Sequence, residues 1–313
     1  MSELIEKLKL QKKPLLLLLA SIICGICIYY IINSFQWEQI WQVLKQANLF
    51  IFFVGSITTL ILYWLTRCLR WYVILRNENK SVSFFRLYLY TAIAVGFSTI
   101  TPFQAGEALK VELLKKHDAA RVSGYTGFAI EKILDILFIL LFALIGLNAE
   151  FNAKFKIYIY IVVAGLIFFS IFFFALVFLL PYKKLDKLRQ ALKERVKIGV
   201  LVQASLLTFI SWILTAVGWH LVLQSIGIYL DLHQIALLLS LTTLVGIISF
   251  VPGGVGVSEI SISQILIKLG YETSLAQAGA LAIRGYALVI IALAIIHLIV
   301  LQLINKRISK NKD

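Results

Sequence analysis

The chain has 313 residues, of which 60% are hydrophobic and only 15% are charged. A soluble globular domain of this size does not need so apolar a composition to fill its core, so the composition predicts a protein whose solvent is lipid. The formal net charge of +14 is spread among the segments between apolar stretches, which indicates membrane orientation and argues against a nucleic-acid partner.

Apolar stretches recur along the whole chain, and several reach the roughly 20 residues that a helix needs to cross a bilayer. The first stretch follows four lysines and lacks a small-residue cleavage site, so we expect a retained anchor instead of a secretory leader. The predicted fold class is therefore all-α, a polytopic membrane protein with a single transmembrane domain over residues 1–313. The six predicted full crossings are 14–33, 49–66, 122–147, 157–180, 199–226 and 275–304.

Two shorter apolar arms, 84–100 and 233–250, run directly into a Pro/Gly break. The arms that follow, 107–117 and 256–269, are too short to cross, so each pair predicts a re-entrant helical hairpin. If both hairpins return to their own side, the inside segments hold 23 Lys and Arg residues and the outside segments hold four. The positive-inside rule then predicts a multi-pass protein of the cell inner membrane with both termini in the cytoplasm.

The two breaks also indicate an internal repeat, because Pro102 and Pro252 are 150 residues apart and a glycine follows each of them four positions later. The repeat units are 49–147 and 199–304. Since the first hairpin enters from the cytoplasm and the second from outside, this is a predicted inverted repeat, as in many secondary transporters. The basic linker 181–197 is either an amphipathic helix on anionic headgroups or a plain positive-inside loop.

The two hairpins predict one buried site, because a re-entrant backbone is stable only inside protein or beside a wet cavity. Proline ends each entering arm, and the glycines permit tight turning after it. The returning arms begin with free N–H groups and the positive end of a helix dipole, which favour an anion such as phosphate.

Glu107 and Glu259 lie just after these glycines, and two interpretations stay open for them. In the first, each glutamate caps the free N–H groups of its returning arm. In the second, one or both face a cavity and bind a cation, a proton or a cationic headgroup.

Ionisable residues also interrupt two long apolar stretches, with Glu131, Lys132 and Asp135 in one and Arg284 in the other. Because such residues are costly in a membrane, they are candidate site residues, with a buried network that braces the two halves as the alternative. Glu131 and Asp135 share a helix face, and we expect Arg284 to be their partner. Counted with the two hairpin glutamates, the acids exceed the bases by two, which favours protons, bound cations or an amine-bearing substrate.

The candidate substrate-binding residues are Pro102, Gly106, Glu107, Lys110, Glu131, Asp135, Pro252, Gly253, Gly254, Gly256, Glu259 and Arg284. Arg67, Arg70 and Trp71 end the apolar helix that begins near residue 49, and we expect them to anchor it among headgroups. Contact with substrate at the cytoplasmic mouth is the alternative for these three residues. We expect no catalytic residue, no metal site and no cofactor.

The chain resembles the lysylphosphatidylglycerol synthase transmembrane-region family of flippase-like membrane proteins over roughly residues 14–305. The stretches that carry the resemblance are RCLRWYVIL, TPFQAGEALKVELL, EKILDIL some 25 residues after the first Gly-Glu pair, and VPGGVGVSE with Arg284 after it. The resemblance implies the translocating part without the cytosolic synthase domain that lipid-aminoacylating members carry. The family's first motif usually has an arginine between its proline and glycine, where this chain has Gln104.

These features predict a flippase-like protein, not an enzyme, that translocates or binds a phospholipid or polyprenyl-phosphate headgroup between leaflets. A proton-coupled secondary transporter of a small polar solute and a non-transporting membrane scaffold are the alternatives. The expected partners are membrane lipids with anionic or amine-bearing headgroups, and an oligomer or a separate lipid-modifying enzyme stays open.

Overall fold

The computed structural model describes residues 2–75, 82–114, 121–146 and 197–310, together with positions 157, 160, 161, 164 and 165. These described residues form ten α-helices and two 3₁₀ segments without a β-strand, which confirms the all-α class. Apart from the single positions and Lys197, the predicted crossing at 157–180 and the linker 181–197 lie outside the described residues.

The helices follow the predicted apolar stretches. In chain order they are α1 (Ser2–Ser34), α2 (Trp37–Lys45), α3 (Leu49–Ile74), α4 (Phe84–Ser98), α5 (Leu109–Leu114), α6 (Arg121–Gly146), α7 (Ile198–Gln224), α8 (Leu232–Ile248), α9 (Val257–Lys268) and α10 (Thr273–Lys310). The 3₁₀ segments are Pro102–Ala108 and Pro252–Gly254.

Three of these helices, α3, α7 and α10, are long and apolar enough to cross a membrane by themselves. Helices α1 and α2 form a further apolar pair with a bend of 81° between them. Helix α6 has 26 residues and is also long enough, but it carries the three ionisable residues Glu131, Lys132 and Asp135. The protein is therefore a polytopic helical membrane protein, and the count of six crossings stays a prediction.

Helices α3 and α7 pack along each other. A methyl group on Gly55 of α3 would lie 3.0 Å from Leu221 of α7, and one on Gly218 of α7 would lie 2.9 Å from the Thr59 hydroxyl of α3. Each helix thus presents a glycine to the other. Small residues at such positions let two membrane helices approach closely.

The outer helices pack in a reciprocal pattern. Helix α4, the entering arm of the first hairpin, packs against α10, and α8, the entering arm of the second hairpin, packs against α6. Glycines again mark these contacts, because a methyl group on Gly96 would overlap Ala294 and one on Gly146 would overlap Leu237. Each hairpin is therefore held by the last helix of the other half of the chain.

The chain turns sharply at both Pro/Gly breaks. Pro102 and Pro252 each occupy the first turn of a 3₁₀ segment, where a missing N–H costs little. Gly253, Gly254 and Gly256 have φ values of +62°, +61° and +83°, which favour glycine.

The two turns meet each other. A methyl group on Gly253 would lie only 2.7 Å from the Thr99 carbonyl oxygen of the first hairpin. Helix α1 closes the other side, since its Cys27 lies directly against the backbone of Gly256. The fold therefore brings both breaks, 150 residues apart in sequence, into contact.

Candidate functional site

A cavity of about 250 Å³ lies between the two hairpins. Its walls come from α4, α8 and α9 of the hairpins, from both breaks, and from α3, α7 and α10. Five of the candidate residues line it, namely Glu107, Gly253, Gly254, Glu259 and Arg284. The other seven are not among its lining residues, and they are Pro102, Gly106, Lys110, Glu131, Asp135, Pro252 and Gly256.

Arg284 of α10 holds the turn of the second hairpin. Its Nε donates to Glu259 Oε1, while Nη1 donates to the Gly253 carbonyl at 3.0 Å and Nη2 to the Gly254 carbonyl at 3.3 Å. The Arg284 side chain keeps 23% of its surface exposed. One guanidinium thus joins the glycine turn, α9 and α10 at the wall of the cavity.

Glu259 is also the cap of α9. Its Oε2 accepts from the Gly256 backbone N–H at 2.8 Å, and Glu259 is the third residue of the helix, so the pair forms a capping box. Capping is therefore confirmed for this glutamate. It also means that the protein's own carboxylate already faces the positive end of α9, where the sequence predicted a phosphate.

Glu107 has a different role in the structure. It lies inside the 3₁₀ segment, and its Oε2 accepts from Arg67 Nη2 at 2.6 Å and from Lys132 Nζ at 3.1 Å. Within the described residues its partners are these side chains and no backbone N–H. The capping interpretation is wrong for Glu107, because the carboxylate points from the hairpin toward α3 and α6.

Glu107 belongs to a buried charge network between α3, α6 and the first hairpin. Arg70 donates from Nε to Glu131 Oε1 at 2.9 Å and from Nη1 to Asp135 Oδ1 at 2.6 Å. Arg67 lies 3.3 Å from Asp135, and Lys110 Nζ binds the second oxygen of Glu131. We call this set the first-hairpin network, and its members are Arg67, Arg70, Glu107, Lys110, Glu131, Lys132 and Asp135.

The network corrects two sequence predictions. Arg67, Arg70 and Trp71 do not anchor α3 among headgroups, because they are only 3%, 0% and 0% exposed. Arg284 is not the partner of Glu131 and Asp135, since it binds Glu259 instead. The three residues on α3 continue the helix face of the buried Trp64, and this periodicity was the available signal for their inward orientation.

The predicted surplus of acids is also wrong. The first-hairpin network contains four cationic and three anionic side chains, and the Arg284–Glu259 pair adds one of each sign. The network and this pair together carry one formal positive charge in surplus, whereas the ionisable side chains that line the cavity itself are Glu107, Glu259 and Arg284. Each of the acids counted from the sequence is therefore paired with a cationic side chain of the protein.

Two cavity residues were not predicted from the sequence. Gln104 has a left-handed backbone with φ +54°, uncommon outside glycine, and its Oε1 accepts from Lys132 Nζ at 3.1 Å. Thr242 of α8 is 4% exposed, and its hydroxyl has no hydrogen-bond partner among the described residues. An unpaired buried hydroxyl at a cavity wall is unfavourable for the protein alone.

The fold and the cavity define a class of protein, a polytopic helical membrane protein with a partly polar cavity between two broken-helix hairpins. Comparison with known families identifies the family to which the chain belongs. The model of the lysylphosphatidylglycerol synthase TM region family matches residues 17–295, and the chain belongs to this family.

One curated relative is a UPF0104 membrane protein of Methanothermobacter thermautotrophicus. It is 30% identical over 79 residues, which cover 25% of this chain and 24% of the relative. The match thus spans about a quarter of the relative's length. No solved structure matches this chain.

Proposed function

We propose that this protein is flippase-like and moves the headgroup of a phospholipid or polyprenyl phosphate between leaflets through the cavity between the two hairpins. The observation that carries the proposal is the cavity itself, because it joins both breaks and is lined by Glu107, Glu259 and Arg284 inside an apolar protein. Charged groups in a membrane interior are costly and rare, and those that face a cavity are candidates for a substrate pathway.

The size of the cavity supports a headgroup as the bound part. Its volume of about 250 Å³ is below the roughly 300–1,000 Å³ that enclose a drug-sized ligand. A whole lipid does not fit, whereas a headgroup does if the acyl chains stay in the bilayer.

The walls at the two breaks support access from lipid. Thr99 and Thr101 line the cavity, while Ile100 between them is 52% exposed. Gly254 lines it too, and the next residue, Val255, is 40% exposed. At both breaks, a residue that lines the cavity is therefore adjacent in sequence to an exposed apolar residue, Ile100 or Val255. This arrangement favours a lipid over a soluble solute as the substrate.

The charges support a phosphate-bearing headgroup. Both acids that line the cavity are already paired, Glu107 with Arg67 and Lys132 and Glu259 with Arg284. Arg284 lines the cavity with part of its surface exposed. Each Nη of an arginine carries two N–H groups, so one remains on each after the bonds to Gly253 and Gly254. A phosphate can therefore accept charge-assisted hydrogen bonds from these N–H groups.

The reciprocal packing of α4 on α10 and of α8 on α6 supports an inverted repeat. In such folds, one half rocks against the other around a site at the middle of the membrane. We include in the proposal two re-entrant hairpins, cytoplasmic termini, an inner-membrane location and a transport role without catalysis.

The test is lipid flipping in proteoliposomes that carry a fluorescent phospholipid, read by bleaching of the outer leaflet. Arg284→Ala and Glu259→Gln should slow flipping by about 10- to 150-fold, the equivalent of a lost charged hydrogen bond. The matched controls are Arg307→Ala and Glu272→Gln, at exposed positions on and just before α10, which should flip lipid at the wild-type rate.

Size-exclusion profiles show whether each variant is folded, so a loss of flipping in a folded variant can be assigned to the cavity. If both cavity variants are folded and flip lipid as fast as the wild type, the proposed site is wrong. If the wild type flips no lipid but takes up a small polar solute in a proton gradient, the secondary-transporter alternative is correct.

A further inference from the structure

Four hydroxyl side chains on the cavity wall share one hydrogen-bonding state. Ser98, Thr99, Thr215 and Thr243 all line the cavity. Each donates its proton to a backbone carbonyl three or four residues earlier on its own helix, at 2.6, 3.1, 3.0 and 2.7 Å respectively. Ser98 is the last residue of α4 and Thr99 is its C-cap, while Thr215 and Thr243 lie on α7 and α8.

Because these hydroxyl protons are already used in hydrogen bonds, they determine which hydrogen bonds the hydroxyls can still form with a ligand. A hydroxyl has one proton to donate and two lone pairs that accept. Since the proton of each is used within its helix, each oxygen can only accept a hydrogen bond from a ligand. The cavity therefore presents an acceptor surface, which suits a group rich in O–H or N–H donors.

The charged residues of the cavity distinguish between an ammonium N–H and a hydroxyl O–H as the donor. An ammonium group would need a free carboxylate, but Glu107 is bound by Arg67 and Lys132, and Glu259 is bound by Arg284. Among the described residues that line the cavity, no unpaired carboxylate is left to bind a cation. Neutral hydroxyl groups satisfy the same acceptors and need no carboxylate.

Thr242 provides a second, independent observation. Thr242 lines the same cavity and is 4% exposed, and its hydroxyl has no partner among the described residues. Because an unpaired buried hydroxyl destabilises a protein, its place at this wall suits a ligand that supplies the missing bond. Thr242 directly precedes Thr243 on α8, and both residues line the cavity.

We propose that the transported headgroup is a polyol, a neutral group with several hydroxyls joined to a single phosphate, as in a glycerol or sugar headgroup. Its hydroxyls donate to Ser98, Thr99, Thr215 and Thr243, while the phosphate binds Arg284. This inference rests on the proposed lipid transport and specifies which headgroup the same cavity selects.

The experiment compares two lipids in the same proteoliposomes, acyl-labelled phosphatidylglycerol and acyl-labelled phosphatidylethanol. Both carry one phosphate charge, and only the first has headgroup hydroxyls. The wild type should flip phosphatidylglycerol about tenfold faster, as expected for two lost neutral hydrogen bonds. The double variant Thr215→Val/Thr243→Val should slow phosphatidylglycerol by about 3- to 10-fold and leave phosphatidylethanol unchanged.

Thr58→Val is the matched control, because Thr58 is exposed on α3 and does not line the cavity. It should change neither rate. Thr242→Val adds a stability measurement, since it should raise the melting temperature while it slows phosphatidylglycerol. A substitution that only damaged folding would lower both the melting temperature and the rate of phosphatidylglycerol flipping.

The outcomes separate the two proposals. Equal rates for the two lipids in the wild type would overturn hydroxyl recognition and leave lipid transport standing. Faster flipping of an ammonium-bearing lipid, phosphatidylethanolamine, than of phosphatidylglycerol would overturn the charge argument. If the wild type moves none of these lipids, lipid transport itself fails and the polyol inference fails with it.

Discussion

Replacing Glu131 with glutamine tests whether the first-hairpin network holds the first hairpin to α3 and α6. Glu131 is fully buried and binds two cations, Arg70 at 2.9 Å and Lys110 through its other oxygen. Glutamine keeps one acceptor oxygen but turns an amide donor toward the other cation. The formal surplus in the network would rise from one positive charge to two.

The expected cost follows from this geometry. Removing one partner of a buried ion pair destabilises a protein by about 3–5 kcal/mol, because the remaining charge is left unpaired. Lys110→Met removes a cation and leaves Glu131 paired with Arg70, so it should cost less, about 1–3 kcal/mol. The double variant restores the surplus to one and should cost less than the sum of the single variants by about 1–3 kcal/mol.

The assay is thermal denaturation of the detergent-purified protein, with the remaining folded fraction measured by size exclusion. At about 2–4 °C for each kcal/mol, Glu131→Gln should lower the midpoint by about 6–20 °C. Glu272→Gln, at an exposed position, should leave it within about 2 °C. A Glu131→Gln protein as stable as the wild type, or strictly additive single variants, would refute the assignment of Glu131 as a buried link between Arg70 and Lys110.

Two further predictions concern packing and orientation. Gly96→Ala should destabilise the protein by about 1–3 kcal/mol in the same assay, because the new methyl group overlaps Ala294, and Ala294→Gly should restore much of the loss. Full stability of Gly96→Ala would contradict the contact between α4 and α10. A green fluorescent protein fused after Asp313 should fluoresce if the C-terminus is cytoplasmic, whereas a fused alkaline phosphatase that is active there would reverse the predicted orientation.

The helices and their breaks were predictable because they depend on local properties. Apolar length determines which segments cross a bilayer, and proline and glycine determine where a helix stops. The predicted arms 84–100 and 233–250 correspond to α4 and α8, and both breaks are where proline and glycine occur in the sequence. The cap formed by Glu259 is local too, since it binds an N–H three residues away.

The charge pairs were not predictable in the same way. Arg67 and Arg70 have the composition of an interfacial anchor, but their partners on α6 are 61 to 68 residues away in sequence. Whether these arginines contact lipid headgroups or Asp135 depends on which helices pack together. Arg284 was assigned to the wrong acids for the same reason, since α9 lies nearer to it than α6 does.

The amino-acid sequence by itself therefore determined the apolar helices, the two Pro/Gly breaks and the identity of the ionisable residues within the membrane region. Only the tertiary structure decided which charges neutralise one another, which hydroxyls line the cavity, and that the two breaks meet. The physical reason is that helix formation and bilayer crossing are properties of contiguous segments, whereas ion pairs and cavities depend on distances between segments that are far apart in the chain.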